Sequence, residues 1–297
     1  MEAILQWGVD SIVTIQQIHG PTLDAIFRGI TYLGGEEFYL FLLPLLFWCV
    51  DFRLGARLAV LFLLSSFLNV GLKDAFKQPR PFDLEPSVGL SEVEGYGLPS
   101  YHSQSAVVVW GSLAGWSSKT WLWVVAVVLI LLVSFSRVYL GVHFPTDVLA
   151  GWVIGIALVI IYLVVRSPVE KWLAEQRLGI QLALAIVVPV GLLMIHPTGD
   201  TTSAMATLTG AGAGLALTQR YVGFGTGGQW WQRAVRYLIG IAVVLGLYMG
   251  LKELCPGEES ALYLVFRFLR YGVIGLWITL GAPWVFCRLR LVPETED

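Results

Sequence analysis

Eight apolar runs recur along the chain, near residues 36–51, 55–76, 102–116, 121–138, 145–165, 178–195, 203–218 and 237–252, and polar turns bound each of them. A helix that crosses a bilayer needs about 20 mostly apolar residues, so each run predicts a transmembrane helix. A ninth run, near 261–287, carries Arg267 and Arg270 in its first half and reads as a further span. The first 35 residues are patterned differently. Short apolar groups there alternate with Asp10, Gln16, Gln17, His19, Asp24 and Arg28, which predicts amphipathic or half-inserted helices in the headgroup layer. The charged stretch "RSPVEKWLAEQR" is the candidate linker between a front and a back half. Three regions follow: an interfacial segment at 1–35, a transmembrane core at 36–170, and C-terminal transmembrane helices of unassigned role at 171–297.

Composition agrees with an all-α, polytopic membrane protein of about nine spans. Hydrophobic residues make up 56% of the chain and charged residues 13%, with a mean hydropathy of +0.72, outside the range of soluble domains. A net charge of −2 provides no basic stripe, which removes nucleic acid as a partner. Cys49, Cys255 and Cys287 lack zinc-like spacing. The opening "MEAILQWGVDS" has an acidic residue where a secretion signal carries basic ones, so no cleavable signal is expected. With the loop "DFRLGAR" on the cytoplasmic side, alternation puts eleven basic residues inside and six outside. The positive-inside rule then favours an external N-terminus and a cytoplasmic C-terminus.

Under that topology three polar clusters fall on one, extracytoplasmic face. They are "KDAFKQPRP", with Lys73 and Arg80; "PSYHS", with Ser100 and His102; and "SRVYLGVHFPTD", with Arg137, His143 and Asp147. The residues singled out supply three cations and one carboxylate, which at a membrane boundary call for an anion, and arginine's planar fork matches phosphate oxygens. Ser100, after Pro99, reads as an N-cap whose neighbouring amides point outward, a ready phosphate site. His143 and Asp147 are four apart at a helix start, so the carboxylate can hold one ring nitrogen and leave the other free. That makes His143 a candidate nucleophile, with His102 from another helix as acid and then base. One carboxylate argues against a magnesium or calcium cage, so neither metal nor cofactor is expected.

Each residue alone has a plainer reading: Lys73 and Arg80 as interfacial anchors, Ser100 as a simple cap, His143 and Asp147 as a pair that stabilises a helix start. Taken together, the spacings resemble the three-part signature of the type 2 phosphatidic acid phosphatase superfamily. Lys73, six residues, Arg80 and Pro81 match its first part, Ser100 and His102 after Pro99 its second, and Ser136, Arg137, His143 and Asp147 its third. That superfamily includes lipid phosphate phosphatases, undecaprenyl pyrophosphate phosphatases, glucose-6-phosphatase and vanadium haloperoxidases. The resemblance implies His143 as nucleophile, Asp147 as its orienting partner and His102 as general acid, with Lys73, Arg80, Ser100 and Arg137 on the phosphate and residues 36–170 as the catalytic core. Tyr101 departs from the usual glycine; it still supplies a backbone amide but adds a ring at the site's mouth.

The expected function is metal-independent hydrolysis of a lipid phosphate or isoprenoid pyrophosphate at the extracytoplasmic face, with the bilayer and a phosphorylated lipid as partners. Rivals are a soluble sugar phosphate as substrate, phosphotransfer between lipids, and a lipid transporter without turnover. A transporter would place ionisable groups near the midplane rather than at one face. Trp7, Trp116, Trp121, Trp123, Trp230 and Trp231 read as headgroup-level belts, Glu85, Glu92 and Glu94 as a solvated loop, and Arg267 and Arg270 as candidate headgroup contacts.

Overall fold

The computed structural model describes residues 2–117 and 119–292, so the end of the 171–297 region lies outside the described residues. Helices in chain order are α1 (Glu2–Gln16), α2 (Pro21–Tyr32), α3 (Glu36–Leu45), α4 (Phe52–Phe76), α5 (Pro81–Leu84), α6 (Tyr101–Ala106), α7 (Ser112–Gly115), α8 (Thr120–Tyr139), α9 (Pro145–Glu175), α10 (Leu178–Ile195), α11 (Gly199–Tyr221), α12 (Trp230–Glu253), α13 (Tyr263–Leu276) and α14 (Ala282–Arg288). Single π-helical turns extend α3 and join α6 to α7 and α13 to α14. The described residues contain no strand, as the length of the apolar runs requires.

All nine predicted runs fall on helices, and the count of nine crossings is approximate. Among the described residues, six helices are long and apolar enough to cross a membrane. A seventh crossing exists if α2 and α3 with its π turn, bent by 47°, form one span. The remaining two runs fall short for different reasons. Tyr101–Gly115 is shorter than a bilayer core requires. Helix α11 has 23 residues, but "TTSAMATLTGAGAG" is built from small and hydroxylated side chains that pack against α10 and α13 more than they repel water.

The chain forms two compact units, residues 1–39 with 68–164, and residues 40–67 with 165–297. Residues 1–35 thus belong to the unit that carries the three polar clusters. In that unit Val9 and Ile12 of α1 pack with Val88, Val138, Phe144 and Val148, and α2 packs along α8. The other unit has its own core of Phe47, Trp48, Ile241, Val244, Ile274 and Phe286. Trp48 Nε1 there donates to the carbonyl of Ile278 at 2.9 Å.

Local chemistry sets the helix ends that matter. Asp51 is extended and its carboxylate accepts from the amide of Leu54 at 2.7 Å, which starts α4 as an N-cap does. The end of α8 is a Schellman motif. Gly141 N donates to Val138 O at 3.0 Å and Val142 N to Arg137 O at 3.2 Å, with Gly141 left-handed at φ 69°. A methyl at Gly141 would lie 1.8 Å from the carbonyl oxygen of Val88, so glycine is required there on two counts.

Candidate active site

The Schellman turn delivers His143 to the start of α9, and the same helix start fixes its partner. Pro145 occupies the first helical position, where its missing N–H is no loss. Asp147, in the first turn, accepts from the amide of Phe144 at 3.0 Å, which is half of a capping box. The oxygen that caps the helix, Oδ2, also lies 3.3 Å from His143 Nδ1. A single carboxylate oxygen therefore both serves the helix start and faces the imidazole. Both side chains are buried, His143 at 1% and Asp147 at 0% exposure.

The other ring nitrogen, His143 Nε2, is 3.4 Å from Arg80 Nη1. Arg80 is fixed by backbone carbonyls alone: Nε donates to Gly95 at 2.7 Å, Nη1 to Val142 at 2.9 Å and Nη2 to Glu94 at 2.9 Å. Lys73 Nζ donates to Tyr96 O at 2.8 Å, so one turn, residues 94–96, supplies acceptors to both cations. Arg137 is 4% exposed. Its Nη1 donates to Thr31 Oγ1 at 2.7 Å, while Nε is buried with no partner.

The second cluster is joined to the third through the backbone. Ser100 N donates to Asp147 O at 3.0 Å. Close packing makes this possible: on α9, Gly151 and Gly155 face α6, and a methyl at Gly151 would lie 2.7 Å from Ser100 O. This small-xxx-small spacing lets two backbones approach as it does at membrane helix interfaces. Ser100 occupies the N-cap position of α6 without a side-chain capping bond; its Oγ instead accepts from Ser103 Oγ at 3.1 Å. Tyr101 is half-buried, its ring edge-on to His102 at a centroid distance of 6.0 Å. Against the His102 ring lies the Gly34–Gly35 turn between α2 and α3, where a methyl at Gly34 would meet His102 Cδ2 at 3.1 Å.

The residues read from the sequence are therefore brought together within one unit. Burial, and then the charges of Lys73, Arg137, Arg80 and His102, push the His143 imidazole well below the ordinary histidine range. Its ring is thus neutral, with a lone pair available at neutral pH. Arg267 and Arg270 do not join this set. They lie in the second unit, where Arg267 bonds Ser203 Oγ at 2.7 Å, the hydroxyl of Tyr263 and, at 3.5 Å, Asp200. Arg270 is packed between the rings of Tyr248 and Tyr271, 4.6 and 5.1 Å from their centroids. An apolar groove lined by Phe27, Leu131, Phe135, Pro145, Leu149 and Trp152 also stands apart from the chemistry. At 100° per residue, Asp147 projects about 200° around α9 from Pro145, so the groove occupies the opposite side of the helix.

Four contributors escaped the sequence reading: Thr31 under Arg137, Gln78 beside Asp147, the carbonyls of residues 94–96, and Gly141. Only Gly141 carries a readable signal, as a glycine three residues past a predicted helix end.

Comparison with known proteins agrees with this geometry. The PAP2 superfamily model matches residues 54–170, and the model for the PAP2 superfamily phosphatase transmembrane extension matches residues 202–295. Phosphatidylglycerophosphatase B of Bacillus subtilis is 34% identical over 154 residues, 48% of this chain and 74% of that protein. The chain belongs to the PAP2 superfamily. Other PAP2 relatives are lipid phosphate phosphatase delta of Arabidopsis thaliana, 29% identical over 57% of this chain and 45% of that protein, and sphingosine-1-phosphate phosphatase 2 of Mus musculus, 30% identical over 65% and 57%. The chain thus spans about half the length of these two curated relatives. The crystal structure of a transmembrane PAP2 type phosphatidylglycerolphosphate phosphatase from Bacillus subtilis superposes with a TM-score of 0.50 at 28% identity, over 60% of this chain and 90% of that one.

Proposed function

We propose that this PAP2 protein is a metal-independent membrane phosphatase that hydrolyses a lipid phosphate or isoprenoid diphosphate at the extracytoplasmic face through a phosphohistidine. The observation that carries the proposal is the bipolar setting of His143, with Nδ1 toward a buried carboxylate and Nε2 toward a guanidinium. Nε2 attacks phosphorus as the bond to the leaving oxygen breaks, and His102 gives that oxygen a proton. Water then attacks the phosphohistidine, His102 takes its proton, the P–N bond breaks, and inorganic phosphate leaves with His143 restored. Lys73, Arg80 and Arg137 carry the charge on the phosphoryl oxygens, with Ser100 and the Tyr101 amide beside them. The count of basic residues per side supports an external site. For Arg267, whose side chain is partly exposed, the proposal is contact with lipid headgroups; Arg270 is buried against two tyrosine rings and a carbonyl, which does not fit that role.

The test uses purified protein in detergent with short-chain phosphatidate, a sphingoid phosphate, an isoprenoid diphosphate and glucose 6-phosphate. Phosphate release from a lipid phosphate should persist in EDTA, be inhibited by vanadate, and fall by on the order of 10⁴-fold in His143→Ala. Release from glucose 6-phosphate alone would replace the lipid reading. Loss in EDTA would overturn the metal-free mechanism, and binding without turnover would favour a transporter. For orientation, a cysteine placed at Glu92 should react with an impermeant thiol reagent on intact cells; reaction only after permeabilisation would reverse the assigned face.

A further inference from the structure

Signature matching treats the six residues between Lys73 and Arg80 as spacing. Helix α4 ends within them at Phe76, and Lys77 then takes the left-handed conformation with φ 49°. The chain then runs Gln78–Pro79–Arg80 across the mouth of the His143 and Asp147 pair. Arg80 reaches the nucleophile side, at Nε2. Gln78 reaches the other end: its Nε2 lies 2.6 Å from Asp147 Oδ1. A carboxylate can only accept at that distance, so the amide presents its NH₂. The backbone of Gln78 is fixed in turn by the amide of Gly97, which donates to Gln78 O at 2.9 Å.

We infer that Gln78 is a positioning residue for the proposed reaction. By holding Oδ1, it directs Oδ2 to the Phe144 amide and to Nδ1 of His143, and so keeps the free lone pair at Nε2. Fully buried, Asp147 has no water to replace that bond. The same three-residue segment thereby fixes both ends of the nucleophile. This role rests on the phosphohistidine reading above.

The experiment is a double-mutant cycle on the full-length protein in detergent, with Gln78→Leu, Asp147→Asn and the double variant. Gln78→Leu should lower kcat about 10–100-fold, the usual cost of an outer partner of a reactive histidine, with KM within twofold. The double variant should be no slower than Asp147→Asn, because Gln78 acts only through the carboxylate. Should Gln78→Leu fail to fold, Gln78→Glu provides the second measurement. When protonated, glutamic acid can donate as glutamine does; when ionised, it repels Asp147. The ratio of Gln78→Glu to wild-type kcat should therefore fall as pH rises. Wild-type rates in Gln78→Leu, losses that multiply in the double variant, or a pH-independent ratio would overturn the role of Gln78 alone. A fully active Asp147→Asn would instead remove the histidine–carboxylate reading, and this inference with it.

Discussion

Both units bury arginines, and the company those arginines keep differs. In the second unit Arg57 forms a two-pronged bond to Glu170, at 2.7 and 2.5 Å. Arg236, fully buried, has the carbonyls of Gly225, Thr226 and Gly227 at 3.2, 3.0 and 2.8 Å and lies over the ring of Phe224. Arg270 has a carbonyl and two tyrosine rings. In the first unit Arg137 has one hydroxyl, and its charge acts on a histidine already beside Lys73 and Arg80. A spare Nε is no signal by itself, because Arg137, Arg236 and Arg270 all leave one unpartnered. Nor is a missing carboxylate, since a wrapped cation such as Arg236 does without one. What separates the first unit is that Lys73, Arg80 and Arg137 all act on one buried imidazole, that of His143. Such a cluster is stable at membrane depth only when an anion completes it.

The sharpest way to break this contrast is to remove one arginine from each unit. Arg137→Gln should cost about 10²–10³-fold in kcat/KM, the range for losing a preorganised donor to transition-state charge, and leave thermal stability in detergent nearly unchanged. Arg236→Gln should do the reverse. It strands buried carbonyls at about 1–3 kcal/mol each, so the melting temperature should drop while the folded fraction keeps its turnover rate. If Arg137→Gln lost stability and kept its rate, the first unit's cations would be structural and the comparison would collapse.

A smaller effect tests why the cations gather at all. They and burial hold His143 neutral, so its acid limb in the pH profile of kcat/KM should lie below the ordinary histidine range. Removing a neighbouring positive charge stabilises the imidazolium and raises that limb. Lys73→Met should therefore move the acid limb toward higher pH, as well as weaken phosphate binding. An unmoved limb would mean that Lys73 does not act on His143.

How far the sequence foretold this depends on the distance over which each part is encoded. The all-helical spans and the pairing of His143 with Asp147 are local, set by the length of the apolar runs and by i,i+4 spacing, and both were legible. The convergence of Lys73, Arg80, Ser100, His102 and Arg137 needed spacing plus alternation across a membrane, and was legible as a pattern. Thr31 was not: a threonine in an amphipathic helix looks like any polar-face residue until α2 packs on α8 and its hydroxyl meets Arg137. Gln78 was hidden for a similar reason, because its bond to Asp147 spans 69 residues and depends on the turn at Lys77. Unit membership was equally non-local. Residues 1–35 join the clusters' unit because Val9 and Ile12 pack against Val138 and Phe144, contacts that amphipathicity alone leaves unassigned.

The smallest expected effect falls on Arg267 of the second unit, which is paired with an exposed carboxylate. Its side chain is 22% exposed and its carboxylate partner Asp200 71% exposed, at 3.5 Å. A pair so exposed contributes about 1 kcal/mol or less, so Arg267→Gln should hardly change stability. If Arg267 meets lipid headgroups, the loss appears only where substrate is presented in a bilayer: KM in anionic vesicles should rise about two- to threefold, while short-chain substrate in detergent is unaffected. The two presentations separate a surface effect from a chemical one, because kcat should stay constant in both. A tenfold fall in kcat with the short-chain substrate would place the second unit in the chemistry. The contrast between a reacting unit and a supporting one would then have to be abandoned.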